Sequence, residues 1–191
     1  MRRALLLCAA LLAAWSAPAS AQALGERLAA CAACHGAGGA PAPLPNSPTL
    51  AGQPALFIEN QLVMIREGLR DVPAMKGLLD GVSDADLAAM AKHFAGQPLK
   101  PQPGPRDAAR FARGEQVANG NRCASCHLPN YAGREQMPRL AGQREDYLLH
   151  SMRQFLSGQA TGRDTIMAAS LRGLSDADLQ AMAHYFAQLP P

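Results

Sequence analysis

The pattern C-x-x-C-H occurs twice in this chain, as CAACH from Cys31 to His35 and CASCH from Cys123 to His127, 92 positions apart. Two thiols three residues apart with an imidazole directly behind them have three familiar uses. They can form a redox dithiol, half of a zinc site, or an attachment point for a haem whose iron the histidine ligates. A zinc ribbon brings its two pairs together, usually about 15 to 20 residues apart, whereas 88 residues separate Cys34 from Cys123. A thioredoxin-like dithiol sits at a strand-to-helix junction and needs no histidine after it. Haem attachment accounts for both histidines.

The surrounding text is also written twice. PTLAGQ from Pro48 returns as PRLAGQ from Pro138, and VSDADLAAMAKHF from Val82 returns as LSDADLQAMAHYF from Leu174. Self-similarity at this spacing means a duplicated unit, each copy with its own attachment motif. The reading therefore divides the chain into a leader over 1–21, a first domain over 22–99, a linker over 100–107 and a second domain over 108–191. The linker lies in GQPLKPQPGPRD, from Gly96 to Asp107, which lacks apolar periodicity and so reads as semi-rigid.

The leader is assigned from Arg2 and Arg3, an apolar run from Ala4 to about Trp15, and small residues ending in A-x-A sites that allow cleavage after Ala21 or Ala23. That run is shorter than the roughly 20 apolar residues a membrane span needs. An exported, periplasmic protein without a transmembrane segment is expected, with weak membrane association left open. Cys8 leaves with the leader, so the two motif pairs account for the four remaining cysteines. The mature chain has 16 basic and 15 acidic residues, a balance that implies neither nucleic acid nor an anionic membrane as partner.

Within each copy, Ser83 or Ser175 offers an N-cap hydroxyl with Asp86 or Asp178 three residues on. Leu87, Met90, Ala91 and Phe94 follow at i, i+3, i+4 and i+7, matched by Leu179, Met182, Ala183 and Phe186. A second helix follows each LAGQ, where Phe57, Ile58, Leu62 and Ile65 repeat as Tyr147, Leu148, Met152 and Phe155. A third precedes each motif, limited in the second copy by Gly114 and Gly120. No stretch alternates as a strand would. The fold expected is all-α, two domains of roughly 80 residues, a size at which an apolar core alone is marginal and a bound prosthetic group helps.

His35 and His127 are the expected proximal iron ligands, and Cys31, Cys34, Cys123 and Cys126 the thioether positions of two covalently bound haems c. Of the seven methionines beyond the leader, only Met75 with Met167 and Met90 with Met182 recur at equivalent positions. Met90 and Met182 lie on the apolar stripe of the closing helix, where packing is their expected role. Met75 and Met167, each 40 residues beyond its histidine and placed in loops, are the expected opposite ligands. His93, His150 and His184 do not repeat and read as surface or packing residues. The carbonyls of Pro48 and Pro138 could accept the second ring N–H of each proximal histidine, although turn formation explains prolines equally well. Small residues in HGAGGA suit backbone close to a flat macrocycle, yet the second copy reads HLPNYAG, so glycine there looks optional.

With CAACH, CASCH, the paired LAGQ segments and SDADL after a methionine segment, nearly the whole mature chain resembles the cytochrome c4 family of diheme cytochromes c, a tandem of class I cytochrome c domains. The resemblance implies two His/Met haem pockets near a pseudo-twofold domain interface. It further implies a periplasmic electron carrier, not an enzyme, working from a cytochrome bc complex toward a haem-copper terminal oxidase. The alternative is an electron-accepting subunit of a periplasmic dehydrogenase, such as a flavin-dependent sulfide dehydrogenase. Independently of that resemblance, a methionine opposite a histidine would saturate the iron and leave no position for substrate. Residues 22–99 have five basic and seven acidic residues, and residues 101–191 ten arginines and eight acids. More negative surroundings stabilise ferric iron, so the first haem is expected to have the lower potential.

Overall fold

The computed structural model describes residues 19–191 and, over them, contains helices and no strands beyond a single bridge between Arg134 and Met137. The helices are α1 (Ala19–His35), α2 (Ala55–Arg66), α3 (Asp84–Ala95), α4 (Ala108–Gly120), α5 (Ala124–His127), α6 (Glu145–Leu156), α7 (Thr165–Leu171) and α8 (Asp176–Gln188). The expected leader lies outside the described residues except for Ala19–Ala21, which open α1. No helix among the described residues is long and apolar enough to cross a membrane.

Two apolar cores form, one in each copy of the repeat, and the closing helices supply about half of each. Leu87, Met90, Ala91 and Phe94 of α3 are buried, packed with Ile58 and Leu62 of α2. Leu179, Met182, Ala183 and Phe186 of α8 are buried in the same way, packed with Leu148 and Met152 of α6. The 3.6-residue period makes this arrangement, since each stripe presents one face and its partner helix closes it. Burial of Met90 and Met182 at 2% exposure fits packing side chains. The caps form as well. Ser83 Oγ accepts from Asp86 N at 3.2 Å, and Ser175 with Asp178 makes a complete capping box. Arg153 and Gln180 on Asp176 hold that carboxyl down to about 2.

The approach to the two motifs differs between the copies. In the first, a single helix runs through Cys31 and Cys34 to His35. In the second, α4 stops at Gly120, Arg122 takes a left-handed φ of 54°, and α5 restarts for one turn. Gly114 does not limit α4. It is the point at which α4 crosses α8, and a Cβ there would collide with the Ala181 carbonyl and the Tyr185 side chain. The linker has no regular structure but is not free. Gln188 Nε2 donates to Gly104 O at 2.8 Å, Asp107 N donates to buried His184 Nε2 at 3.0 Å, and the Arg106 guanidinium lies 3.6 Å over the Phe111 ring.

Substituting Gly114 with alanine forces α4 and α8 apart, and overpacking of this kind costs about 1 to 3 kcal/mol. Chemical denaturation of the holoprotein should show that loss, while alanine at Gly25, whose Cβ position is open, should leave stability nearly unchanged.

Candidate functional site: two histidine pockets across a shared interface

His35 ends α1 and His127 ends α5, and both imidazoles are buried, at 7% and 3% exposure. His35 Nδ1 lies 3.0 Å from Pro48 O, and His127 Nδ1 lies 2.9 Å from Pro138 O. A carbonyl can only accept, so each Nδ1 carries the proton and each Nε2 is left with its lone pair. Burial pushes both imidazoles below their ordinary value, against the opposing proline hydrogen bond, which keeps that lone pair available at neutral pH. His127 Nε2 is buried without a hydrogen-bond partner. A buried ring nitrogen with an unused lone pair and a fixed tautomer is what an iron ligand requires.

The i, i+3, i+4 spacing of each motif places its two cysteines and its histidine along one helical face. Cys31 and Cys34 are half-buried, Cys123 is half-buried and Cys126 exposed, and none is in a disulfide. Burial raises the Cys31 and Cys123 thiols. As free thiols they are therefore protonated at neutral pH. A cavity of about 310 Å³ opens beside the second motif, lined by Ser125, Cys126 and Arg134 through Met137.

The proline segments are held from two sides. In the first half Leu50 N and Ala51 N donate to Gly39 O, and Gly52 N donates to Phe94 O at the end of α3. In the second half Leu140 N and Ala141 N donate to Tyr131 O, and Gly142 N to Phe186 O. Gly39 and Tyr131 are thus equivalent, and both have positive φ, 82° and 54°. The residue after each histidine is also left-handed, Gly36 at 82° and Leu128 at 71°. The conformation is required in both copies, and only the residue that adopts it varies. Glycine takes it without strain, whereas leucine carries a cost of order 1 to 3 kcal/mol.

Met75 and Met167 are half-buried against the cores of their own halves. Neither lies in a plain loop, which corrects the expectation from sequence. Met75 ends a 3₁₀ turn, Pro73–Met75, and Met167 lies in the first turn of α7. Asp164 starts α7 by accepting from Ile166 N, and Pro73 starts the 3₁₀ turn by its fixed φ. His184 Nδ1 lies 2.8 Å from Glu145 Oε2, so that histidine is committed to tying α8 to α6. His150 is exposed and His93 half-buried.

The two halves meet along the proline segments. Gln143 Oε1 accepts from Thr49 N and Gln143 Nε2 donates to Thr49 O, both at 2.9 Å. Reciprocally, Gln53 Oε1 accepts from Arg139 N at 2.9 Å and Gln53 Nε2 donates to Arg139 O at 3.0 Å. These glutamines end the two LAGQ segments, and no sequence signal marked them as more than repeat. Asp146 Oδ2 accepts from Asn46 N at 2.9 Å, and Arg144 donates to the Ala42 carbonyl, beside them. Arg139 Nε donates to Gly52 O at 3.0 Å, while its Nη1 is buried without a partner.

Two helical domains, each ending a helix in C-x-x-C-H with the histidine bonded to a proline carbonyl, define a tandem c-type cytochrome. A family model described as "Cytochrome c" matches residues 111–190, and one described as "Cytochrome C oxidase, cbb3-type, subunit III" matches residues 17–93. The chain is 36% identical over 170 residues to cytochrome c4 of Pseudomonas aeruginosa, covering 83% of each chain. It is 34% identical over 187 residues to the thiosulfate dehydrogenase electron acceptor of Thiomonas intermedia, covering 92% of this chain and 86% of that one. The crystal structure of reduced cytochrome c4 from Pseudomonas stutzeri superposes with a TM-score of 0.79 at 34% identity, over 89% of this chain and 98% of that one. The chain belongs to the cytochrome c4 family. It carries two covalently bound haems c and is an electron-transfer protein rather than an enzyme.

Alanine at Gly36 would drive its Cβ into the Pro41 carbonyl at a φ that L residues avoid, a loss of about 2 kcal/mol or more in thermal unfolding of the holoprotein. Leu128→Ala, at a position already built around a Cβ, should change stability by no more than about 1 kcal/mol.

Proposed function

We propose that the mature chain is a periplasmic diheme carrier that takes single electrons from a cytochrome bc complex and passes them toward a haem-copper terminal oxidase. In this reading residues 1–21 are a removed leader, and domains 22–99 and 108–191, joined by 100–107, hold one haem each. Cys31 and Cys34 form thioethers to the first haem, with His35 and Met75 on its iron. Cys123, Cys126, His127 and Met167 do the same for the second. Each bound haem supplies one reversible ferric–ferrous couple. The protein would contribute a fixed imidazole tautomer through Pro48 and Pro138, and the half-buried thioethers of Met75 and Met167 as ligands that favour the ferrous state. Arg139, with a buried Nη1 to spare, suits an anionic side group of a haem at the domain interface.

The observation that carries the reading is the repeated histidine–proline hydrogen bond, which leaves Nε2 as the only ring atom free for iron. The second reading, an electron-accepting subunit bound to a dehydrogenase, is favoured by the likeness to the Thiomonas protein. Purification from periplasm separates them: a lone diheme protein supports the free carrier, and a stoichiometric dehydrogenase or flavoprotein partner supports the subunit.

Two measurements test the site. Met75→Ala or Met167→Ala should open one iron to carbon monoxide and lower its potential, with both haems still attached by mass. Met90→Ala should leave ligation intact and cost about 2 to 5 kcal/mol of stability as a buried truncation.

The charge imbalance between the halves predicts the order of potentials. At a separation of about 15 Å and an effective dielectric of about 20 to 80, one charge is worth about 0.3 to 1 kcal/mol before screening. That is about 10 to 50 mV per charge for a one-electron couple. A redox titration should therefore find the haem of the first domain lower by tens of millivolts, and finding it equal or higher would refute the charge argument.

A further inference from the structure

Two of the four glutamine hydrogen bonds between the halves fall on one particular pair of peptide groups. The carbonyl that His35 Nδ1 bonds is Pro48 O, and the N–H of that same peptide is Thr49 N, which donates to Gln143 Oε1. The carbonyl that His127 Nδ1 bonds is Pro138 O, and the N–H of its peptide is Arg139 N, which donates to Gln53 Oε1. Each proximal histidine is therefore joined, through a single peptide bond, to a glutamine of the opposite half. Gln53 and Gln143 are at 5% and 3% exposure and Thr49 at 5%; the Gln143–Thr49 bonds are buried from water and the Gln53–Arg139 bonds partly so.

Resonance couples the two ends of a peptide group. An acceptor on its N–H pushes electron density toward the carbonyl oxygen, and hydrogen bonds in series strengthen one another. A stronger carbonyl acceptor draws the Nδ1 proton further from the ring and makes Nε2 more basic. A more basic imidazole stabilises ferric over ferrous iron. The second hydrogen bond of each glutamine, from Nε2 to the Thr49 or Arg139 carbonyl, clamps the side chain so that its Oε1 cannot swing away.

We propose that Gln143 and Gln53 are positioning residues that act in a crossed sense. Gln143, in the second half, lowers the potential of the haem held by His35, and Gln53, in the first half, lowers that of the haem held by His127. This rests on the assignment of His35 and His127 as iron ligands. It makes each haem's electronic environment complete only when the two halves are docked.

The test uses the intact holoprotein with Gln143→Leu and Gln53→Leu. Both couples are titrated, and the hyperfine-shifted ring N–H signals of His35 and His127 are followed by nuclear magnetic resonance to assign each couple. Gln143→Leu should shift the His35 signal and raise the ferrous-to-ferric ratio of that haem about threefold to tenfold at fixed ambient potential, about 28 to 59 mV at about 59 mV per tenfold. The His127 couple should move much less, and Gln53→Leu should give the mirror result. Gln143→Glu keeps an acceptor for Thr49 N with added negative charge. It should move the His35 couple in the opposite direction, which covers the case that the leucine variant does not fold. Loosened packing would shift both variants the same way. Equal movement of both couples, movement of the variant's own haem instead, or no movement overturns the crossed relay. Absence of hyperfine-shifted signals from His35 and His127 in the unmodified ferric protein would overturn the ligand assignment and the relay with it.

Discussion

The hydrogen bond from each histidine Nδ1 to a proline carbonyl is the constraint around which the rest of the structure is arranged. A histidine at a helix end has two free torsions, and only a fixed acceptor sets its ring plane and tautomer together. That acceptor must itself be rigid. Proline limits its own φ, and the amides that follow it donate to Gly39 or Tyr131 on one side and to the end of α3 or α8 on the other. The closing helix in turn is fixed by its buried stripe and its serine cap. A chain of ordinary secondary-structure effects thus ends at one nitrogen atom in each half.

Much of this was readable before any coordinates. The capping serines, the i, i+3, i+4, i+7 stripes and the paired motifs follow rules that depend on neighbours in sequence, so the helices α3 and α8 and the histidines His35 and His127 could be named directly. What could not be read depended on contacts distant in sequence. Gly114 looked like a weak point in a helix because its reason for being glycine, the carbonyl of Ala181, is 67 residues away. Met167 looked like a loop residue because α7 is only seven residues long, too short for periodicity to register. Gln53 and Gln143 were visible as part of LAGQ, but their partners Arg139 and Thr49 lie 86 and 94 residues off. No local pattern could have connected them.

The glycine run after the first motif shows how residue identity and conformation separate. Gly36 and Gly39 adopt left-handed backbone that Leu128 and Tyr131 also adopt. Tyr131 recovers part of that cost by packing, with its ring 4.8 Å from Phe186 and 5.8 Å from Tyr185. At Gly39 the same space is already occupied, since a Cβ would come within 2.9 Å of Phe94 and Leu50. In the first half Phe94 and Leu50 fill that space, and the position needs glycine. The second half fills the gap with aromatic rings and does not.

Duplication leaves a further question, because an electron moving between two haems needs them to differ. The hydrogen-bond framework does not distinguish them: 3.0 and 2.9 Å from histidine to proline, and a glutamine clamp in each direction. A relay that is symmetric shifts both couples alike and contributes nothing to the difference between them. The difference must come from features that were not duplicated. These are the opposite charge balance of the halves, the half-buried Arg139 where the first copy has Thr49, and the aromatic cluster of Phe111, Tyr131, Tyr185 and Phe186 around the second core. The Arg139 side chain crosses to the first half, where Nε donates to Gly52 O, and burial there lowers its pKa. The repeat thus provides two equivalent pockets, and what distinguishes them lies in the substitutions accumulated around them.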